Sequence, residues 1–412
     1  MEPKIRLRGF SGDWIIESFT ECFEPLKNNS LSRAELSDSG EVMNVHYGDV
    51  LIKFGECIDT RKDKLPFIQD NKIGKHLYNT CSLQKGDIIF ADAAEDNTVG
   101  KCCELVCKDD DAIVSGLHTI ACRPKTKFSE KYLGFFLNSP SFHDQLLPHI
   151  QGTKISSISR KAVNTTTVHY PIDKNEQFGL ASYFSYLEAL IEASNMRIES
   201  FKQIKEASLQ AMFPQEGKTI PRVRFKGFEG DWKKVKADSI FKTFNEKNRP
   251  DLPVLSATQD RGMVTRESIG YNIFHDKSNE TTYKHILPGQ FVIHLRSFQG
   301  GFAHSEIEGI ASPAYTIMDF KDKDLYYDYF WRYVFMSKEF IKRLELITYG
   351  IRDGRSISFD EFKEMIFIVP CKEEQVKIAS YLRNIDKQIT LQSQHLEKLK
   401  QIKASCLEKM FV

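Results

Sequence analysis

The chain contains the same sequence signs twice, and this repetition limits its folds more than any other feature. Arg6-Leu-Arg-Gly-Phe-Ser-Gly-Asp-Trp14 returns as Arg224-Phe-Lys-Gly-Phe-Glu-Gly-Asp-Trp232, an offset of 218 (232 − 14). Toward the end of each half, Ala181-Ser-Tyr183 returns as Ala379-Ser-Tyr381, Lys202-Gln-Ile-Lys205 as Lys400-Gln-Ile-Lys403 and Met212-Phe213 as Met410-Phe411, all at an offset of 198 (379 − 181). A period near 200 residues is too long for a solenoid or a propeller, so it marks a duplicated domain. With 412 residues and 41% hydrophobic content, each copy can build its own core.

Each half divides into a mixed globular part and a long helix. The first globular part carries strand-like runs at Asp49-Val-Leu-Ile-Lys-Phe54 and Gly86-Asp-Ile-Ile-Phe90. The second carries them at Gly289-Gln-Phe-Val-Ile-His-Leu295 and Met365-Ile-Phe-Ile-Val-Pro370. Ser115-Gly-Leu-His-Thr-Ile120 lines up with Ser312-Pro-Ala-Tyr-Thr-Ile317, and an aromatic helical stretch follows each, near Tyr132 and Tyr329. The helices have apolar residues at alternating steps of four and three: Leu180, Phe184, Leu187 and Ile191, then Ile198 and Phe201. The second helix repeats this with Ile378, Leu382, Ile385 and Ile389, then Leu396 and Leu399. That is a heptad seam, and its polar breaks match as well, with Ser194 against Gln392 and Lys205 against Lys403. A helix from Phe178 to Met212 is about 50 Å long and its single apolar seam needs a partner. Its own copy is the nearest one. The expected fold is therefore α+β, with two homologous mixed α/β domains and two long helices packed as an antiparallel coiled coil, related by a pseudo-two-fold repeat. The expected boundaries are 1–172 and 214–371 for the globular domains, and 173–213 and 372–412 for the helices. Pro214 and Gly217, in the linker Pro214–Pro221, stop the first helix.

A formal charge of +1 argues against binding to nucleic acid by bulk charge alone, but leaves room for local basic patches. The nine cysteines are odd in number and unevenly spread, which fits reduced thiols. With no signal-like start and no apolar run long enough for a bilayer, the expectation is a cytoplasmic chain with no membrane partner. No phosphate-binding Gly-x-x-x-x-Gly-Lys-Ser/Thr, strand-linked Gly-x-Gly-x-x-Gly or Asn-Pro-Pro-Tyr type of tetrapeptide is present. Cys102-Cys103, Cys107 and Cys122 lack paired Cys-x-x-Cys spacing, and the eleven histidines are dispersed, so no metal site is expected. Nothing here points to catalysis by this chain.

Several segments could touch DNA. In the second half, Leu295–Phe302 combines Arg296 and Gln299 with a glycine pair. Arg can bridge guanine and Gln adenine in the major groove. Further on, Thr348–Ser356 places Arg352 and Arg355 in a turn, and the first half aligns Gln151–Arg160 there, with Lys154 and Arg160. Basic, glycine-containing loops at equivalent positions suit contacts to the phosphate backbone. Asp13-Trp14 and Asp231-Trp232 fit a structural role, seating the start of each globular part on its core.

On these features the chain resembles the specificity (S) subunit of type I restriction–modification systems. The likeness rests on the Gly-Phe-x-Gly-Asp-Trp openings at Gly9–Trp14 and Gly227–Trp232. It rests also on Glu176-Gln177 and Glu374-Gln375 following Pro171 and Pro370, and on the Lys-Gln-Ile-Lys helix ends. It covers the whole chain in order. The resemblance implies a non-catalytic subunit whose two target-recognition domains each read half of a split sequence in double-stranded DNA. The helices would act as a spacer that sets the gap. It also implies docking of methyltransferase subunits, two of them, and then of restriction/translocase subunits. S-adenosylmethionine, ATP and Mg²⁺ would belong to those partners, with no cofactor in this chain. Base-reading residues vary within the family, so none is carried over. Two other readings stay open: a coiled-coil adaptor for protein partners, and the specificity part of a simpler bipartite methylating nuclease.

Overall fold

The computed structural model describes residues 2–108, 110–152, 154–258, 261–269, 277–294, 301–348 and 358–412. The chain forms two compact units: Met1–Asn195 with Gln394–Val412, and Met196–Ser393. Each long helix contributes to both, because the first spans Lys174–Met212 and the second Lys372–Met410.

Unit 1 is built on a five-stranded sheet. Its strands in chain order are β1 (Phe23–Pro25), β2 (Cys57–Asp59), β3 (Ile88–Ala91), β4 (Cys102–Val106) and β5 (Thr119–Pro124), arranged β1-β5-β3-β4-β2. All pairs are antiparallel except β2 with β4. The alternation of side chains across a strand divides the interior in two. Ile88, Phe90, Cys102, Ile120 and Cys122 face a core shared with Trp14 and the long helices. Ile89, Ala91, Cys103 and Ala121 face a second core, with Val50 and Ile58. Adjacent Cys102 and Cys103 thus point to opposite faces of one strand.

Unit 2 has a four-stranded antiparallel sheet of β6 (Phe241–Phe244), β7 (Phe291–Ile293), β8 (Phe302–His304) and β9 (Thr316–Phe320), ordered β6-β9-β7-β8. Phe291, Ile293, Met318 and Phe320 face a core with Trp232, Trp331 and the helices. Val292, Ala303 and Ile317 face the other side. In both units the strand after the Trp opening pairs with the strand just before a long helix: Ile15–Ser18 with Thr167–Tyr170, and Lys233–Lys236 with Ile366–Val369.

The expected strands near residues 86–90, 289–295 and 365–370 form, as do helices at Tyr132–Leu137 and Asp328–Met336. The strand expected over Asp49–Phe54 does not. Tyr47–Ile52 is a helix, capped where the His46 ring accepts from the Gly48 N–H, with Asp49 in its first turn. An apolar run this short fits either state, and the cap and the acid near the helix N-terminus favour the helix.

The long helices pack together and antiparallel within each unit. In unit 1 the start of the first helix meets the end of the second: the Phe184 and Phe411 rings stack 5.4 Å apart, and the Tyr183 hydroxyl lies 3.3 Å from Cys406 Sγ. In unit 2 the end of the first meets the start of the second, where Ser208 Oγ lies 3.3 Å from the Tyr381 hydroxyl. Of the seam positions, Leu180, Phe184, Leu187, Ile198, Ile378, Leu382, Ile385, Leu396 and Leu399 are buried; Ile191, Phe201 and Ile389 are half-buried. The seam also serves the globular cores, since Leu180, Phe184 and Leu187 pack with β3 and β5, and Ile378, Leu382 and Ile385 with β7 and β9. Among the described residues no helix is long and apolar enough to cross a membrane.

Candidate nucleic-acid interface

Each globular part is tied to the helix that follows it by the same set of bonds. Arg6 donates through Nε and Nη2 to Glu176 at 2.8 and 2.9 Å, and through Nη1 to Gly12 O at 2.6 Å. Arg224 does the same to Glu374, at 2.7 Å twice, and to Gly230 O at 2.5 Å. Glu176 and Glu374 are both buried, so the paired hydrogen bonds of a planar guanidinium match the carboxylate's desolvation. The next residues, Gln177 and Gln375, are 0% exposed. Gln177 donates to Pro171 O and accepts from the Ser129 N–H, while Gln375 donates to Pro370 O and accepts from the Tyr327 N–H. Trp14 meets Phe411 edge-on at 6.3 Å, and Trp232 meets Phe213 at 6.2 Å. The tryptophans of the two openings therefore seat each globular part on the end of the other long helix, Trp14 on Phe411 after Met410 and Trp232 on Phe213 after Met212.

Of the polar breaks in the seam, the two lysines form ion pairs, whereas Ser194 Oγ donates to Leu190 O at 2.8 Å within its own helix. In unit 1, Lys403 Nζ lies 2.6 Å from Glu56 and 3.1 Å from Glu188. Glu188 is pushed up to about 8, first by burial and then by the hydrogen bond and charge of Glu56. Glu56 is held low despite its burial, by that bond and by the Lys403 charge. At neutral pH the cluster thus holds one proton, one carboxylate and one ammonium, and is close to neutral. In unit 2, Lys205 Nζ lies 2.6 Å from Asp386, which also accepts from the Tyr333 hydroxyl at 2.6 Å. Burial, and then Asp386, push that phenol up. Glu56, Glu188, Tyr333 and Asp386 were not singled out from the sequence. Glu188 and Asp386 share the 198-residue offset (386 − 188), which is the signal that could have found them.

The candidate DNA contacts separate. Lys154 is exposed in a turn closed by reciprocal bonds between the backbones of Gln151 and Ser157, at 3.0 and 2.8 Å. Gly152 has φ +104 there, and a Cβ would stand 1.9 Å from Ile155 O, so glycine is required. Ser156 and Ser157 pair with Ala94 and Ala93, fixing the turn to the strand that follows Asp92. Arg160 is half-buried and donates to Leu26 O at 2.8 Å and Ala121 O at 3.4 Å, bracing the sheet. Arg296, Gln299, Arg352 and Arg355 lie outside the described residues. A groove of about 1140 Å³ in unit 2 is lined by Phe213, Phe340, Ile366 and Ile389, together with Lys202, Lys234 and Arg261.

Residues 229–401 match the family described as Type I restriction modification DNA specificity domain. That part of the chain is similar to this class of DNA specificity domains. Over its length the chain also has the fold of type I specificity subunits. It is similar to the crystal structure of a Type-I restriction-modification system S subunit from M. genitalium, with TM-score 0.59 and 14% identity, covering 100% of this chain and 99% of that one. It is similar too to a chain in a structure on complex assembly and conformational transition of the type I R-M system, with TM-score 0.54 and 17% identity, covering 97% and 98%. A comparison with curated protein sequences gave no match.

Proposed function

We propose that the chain is the non-catalytic DNA-specificity subunit of a type I restriction–modification complex. Residues 1–172 and 214–371 would each read one half of a bipartite target in double-stranded DNA. The helices over 173–213 and 372–412 would set the gap between the halves and dock two methyltransferase subunits, with restriction/translocase subunits joining them. S-adenosylmethionine, ATP and Mg²⁺ would be handled by those partners.

The observation that carries this reading is the repeated frame. Arg6–Glu176 with Gly12 and Arg224–Glu374 with Gly230 are one device used twice, and the strand orders β1-β5-β3-β4 and β6-β9-β7-β8 correspond. A frame used twice with unlike surfaces suits a duplex target with two unlike half-sites. The groove in unit 2, which offers both apolar and cationic groups, supports docking of a partner protein.

The experiment is to map methylated adenines in cells carrying this chain and its methyltransferase subunits. The expected result is a split target with a fixed gap. Removing one matched heptad from both helices would then shorten the gap and leave the letters unchanged, because the rise per residue is constant. A target that is not split would refute the reading, and an unchanged gap would refute the spacer role.

A further inference from the structure

At the same end of two neighbouring central strands, each unit carries a ring in the turn packed against a second ring, which comes from the helix Tyr47–Ile52 in unit 1 and from the cross-strand position in unit 2. In unit 1, β3 and β5 pair with Thr119 opposite Ala91. One step beyond, the Asp92 N–H donates to His118 O at 3.0 Å. In unit 2, β7 and β9 pair with Thr316 opposite Ile293, and the residues one step beyond are His294 and Tyr315. The His118 ring stands edge-on to Tyr47, with centroids 5.2 Å apart and planes at 74°. The Tyr315 ring stands edge-on to His294, at 6.3 Å and 61°. The turn residue is thus an imidazole against a phenol in one unit and a phenol against an imidazole in the other.

His118 does not fit an incidental loop residue. Its φ is +54, the left-handed region that a residue with a Cβ enters only at a cost. Such outliers persist where the surroundings hold them, and they cluster at functional sites. Here the surroundings are specific: Asp92 Oδ1 lies 3.0 Å from Nδ1, and Tyr47 flanks the ring. The side chain is nevertheless 51% exposed, so a ring fixed on two sides presents its remaining edge outward. Ala93 and Ala94, which follow Asp92, pair with Ser157 and Ser156, putting the exposed Lys154 turn on the neighbouring strand. In unit 2 the Tyr315 turn is tied down by Lys284, whose Nζ donates to Tyr315 O at 2.6 Å. The His294 N–H donates to Gly301 O at 3.0 Å.

We propose that these two ring-bearing turns contact base edges, His118 in one half-site and Tyr315 in the other, and that the exchange of imidazole for phenol helps the units read different letters. An imidazole or phenol held in a fixed orientation offers one hydrogen-bonding edge and an apolar face, enough to discriminate among base edges in the major groove. The strand ends supply the rigid support such a contact needs. The proposal rests on the half-site reading above.

The test uses the full chain assembled with its methyltransferase subunits, with methylated adenines mapped genome-wide for wild type, His118→Gly, Tyr315→Phe and Tyr315→Ala. His118→Gly removes the ring and relieves the backbone at φ +54, and Tyr315→Phe keeps the packing, so folded variants are at hand. Thermal melting of each variant establishes folding. The expected result is that His118→Gly relaxes the preference for at least one letter in one half-site by about tenfold, leaving the gap and the other half-site unchanged. The Tyr315 variants should relax only the other half-site. Wild-type letters from folded variants at both sites, or relaxation of the same half-site by both, would overturn the proposal. A wild-type complex with no split target would instead overturn the half-site reading itself, before any variant is compared.

Discussion

Replacing Lys403 with methionine removes the cation from a cluster that is neutral only because of it. Its side chain is 17% exposed, and Glu56 beside it 13%. In the wild type at pH 7 the ammonium balances the Glu56 carboxylate, and Glu188, pushed up to about 8, keeps its proton. In Lys403→Met the two acids would carry an uncompensated buried charge. The lower-energy outcome is a second proton, taken up against a carboxyl that ionises near pH 4.5 when unfolded. At pH 7 that costs about 1.4 kcal/mol for each of roughly 2.5 pH units, or about 3.5 kcal/mol. This agrees with the roughly 3–5 kcal/mol typical of breaking a buried pair. For a unit of roughly 200 residues, the melting transition should fall by roughly 7–14 °C.

The pH dependence is the sharper signature. Both acids in the variant would have folded values raised above the unfolded one, so their stabilising protonation is complete below about pH 4.5 and lost as pH rises. The deficit relative to wild type should therefore shrink by about 1.4 kcal/mol per unit as pH falls from 7 toward 5. Adding Glu56→Gln removes the stranded carboxylate and should restore most of the loss. Calorimetry of wild type, Lys403→Met and the double variant at pH 5, 6 and 7 reads all of this. A loss at pH 7 below about 1 kcal/mol, or one that does not change with pH, would refute the charge assignment.

Two further outcomes follow from the frame and from the exposed turn. Arg224→Ala leaves Glu374 buried without its two bonds and should destabilise unit 2 by about 3–5 kcal/mol in denaturant titration, with Arg6→Ala doing the same to unit 1; a change under about 1 kcal/mol would contradict this. Lys154→Ala should weaken DNA binding by the assembled complex to a similar degree for all sequences and lower the slope of log affinity against log salt by about one; a changed letter preference with an unchanged slope would show that Lys154 reads bases instead.

The sequence by itself determined the frame. The repeated openings, the Glu-Gln pairs and the heptad helices are local or periodic signals, and the bonds of Arg6, Gln177, Arg224 and Gln375 explain why these letters recur at fixed distances from the helices. The matched Lys205 and Lys403 breaks were legible as positions, but their meaning was not. Glu56, 347 residues from Lys403, becomes its partner only when the end of the second helix lies on the first globular core. The Tyr47–Ile52 helix is not legible in the pattern, because the short apolar run Val50–Ile52 has no reliable period and the cap decides the outcome. The tertiary structure alone decided the cross-strand register that puts His118 opposite Asp92 and Tyr315 opposite His294, and it turned Arg160 inward onto two carbonyls. Periodicity shows which face of an element is apolar. Which side chains from distant elements meet there is settled by packing, which no local pattern encodes.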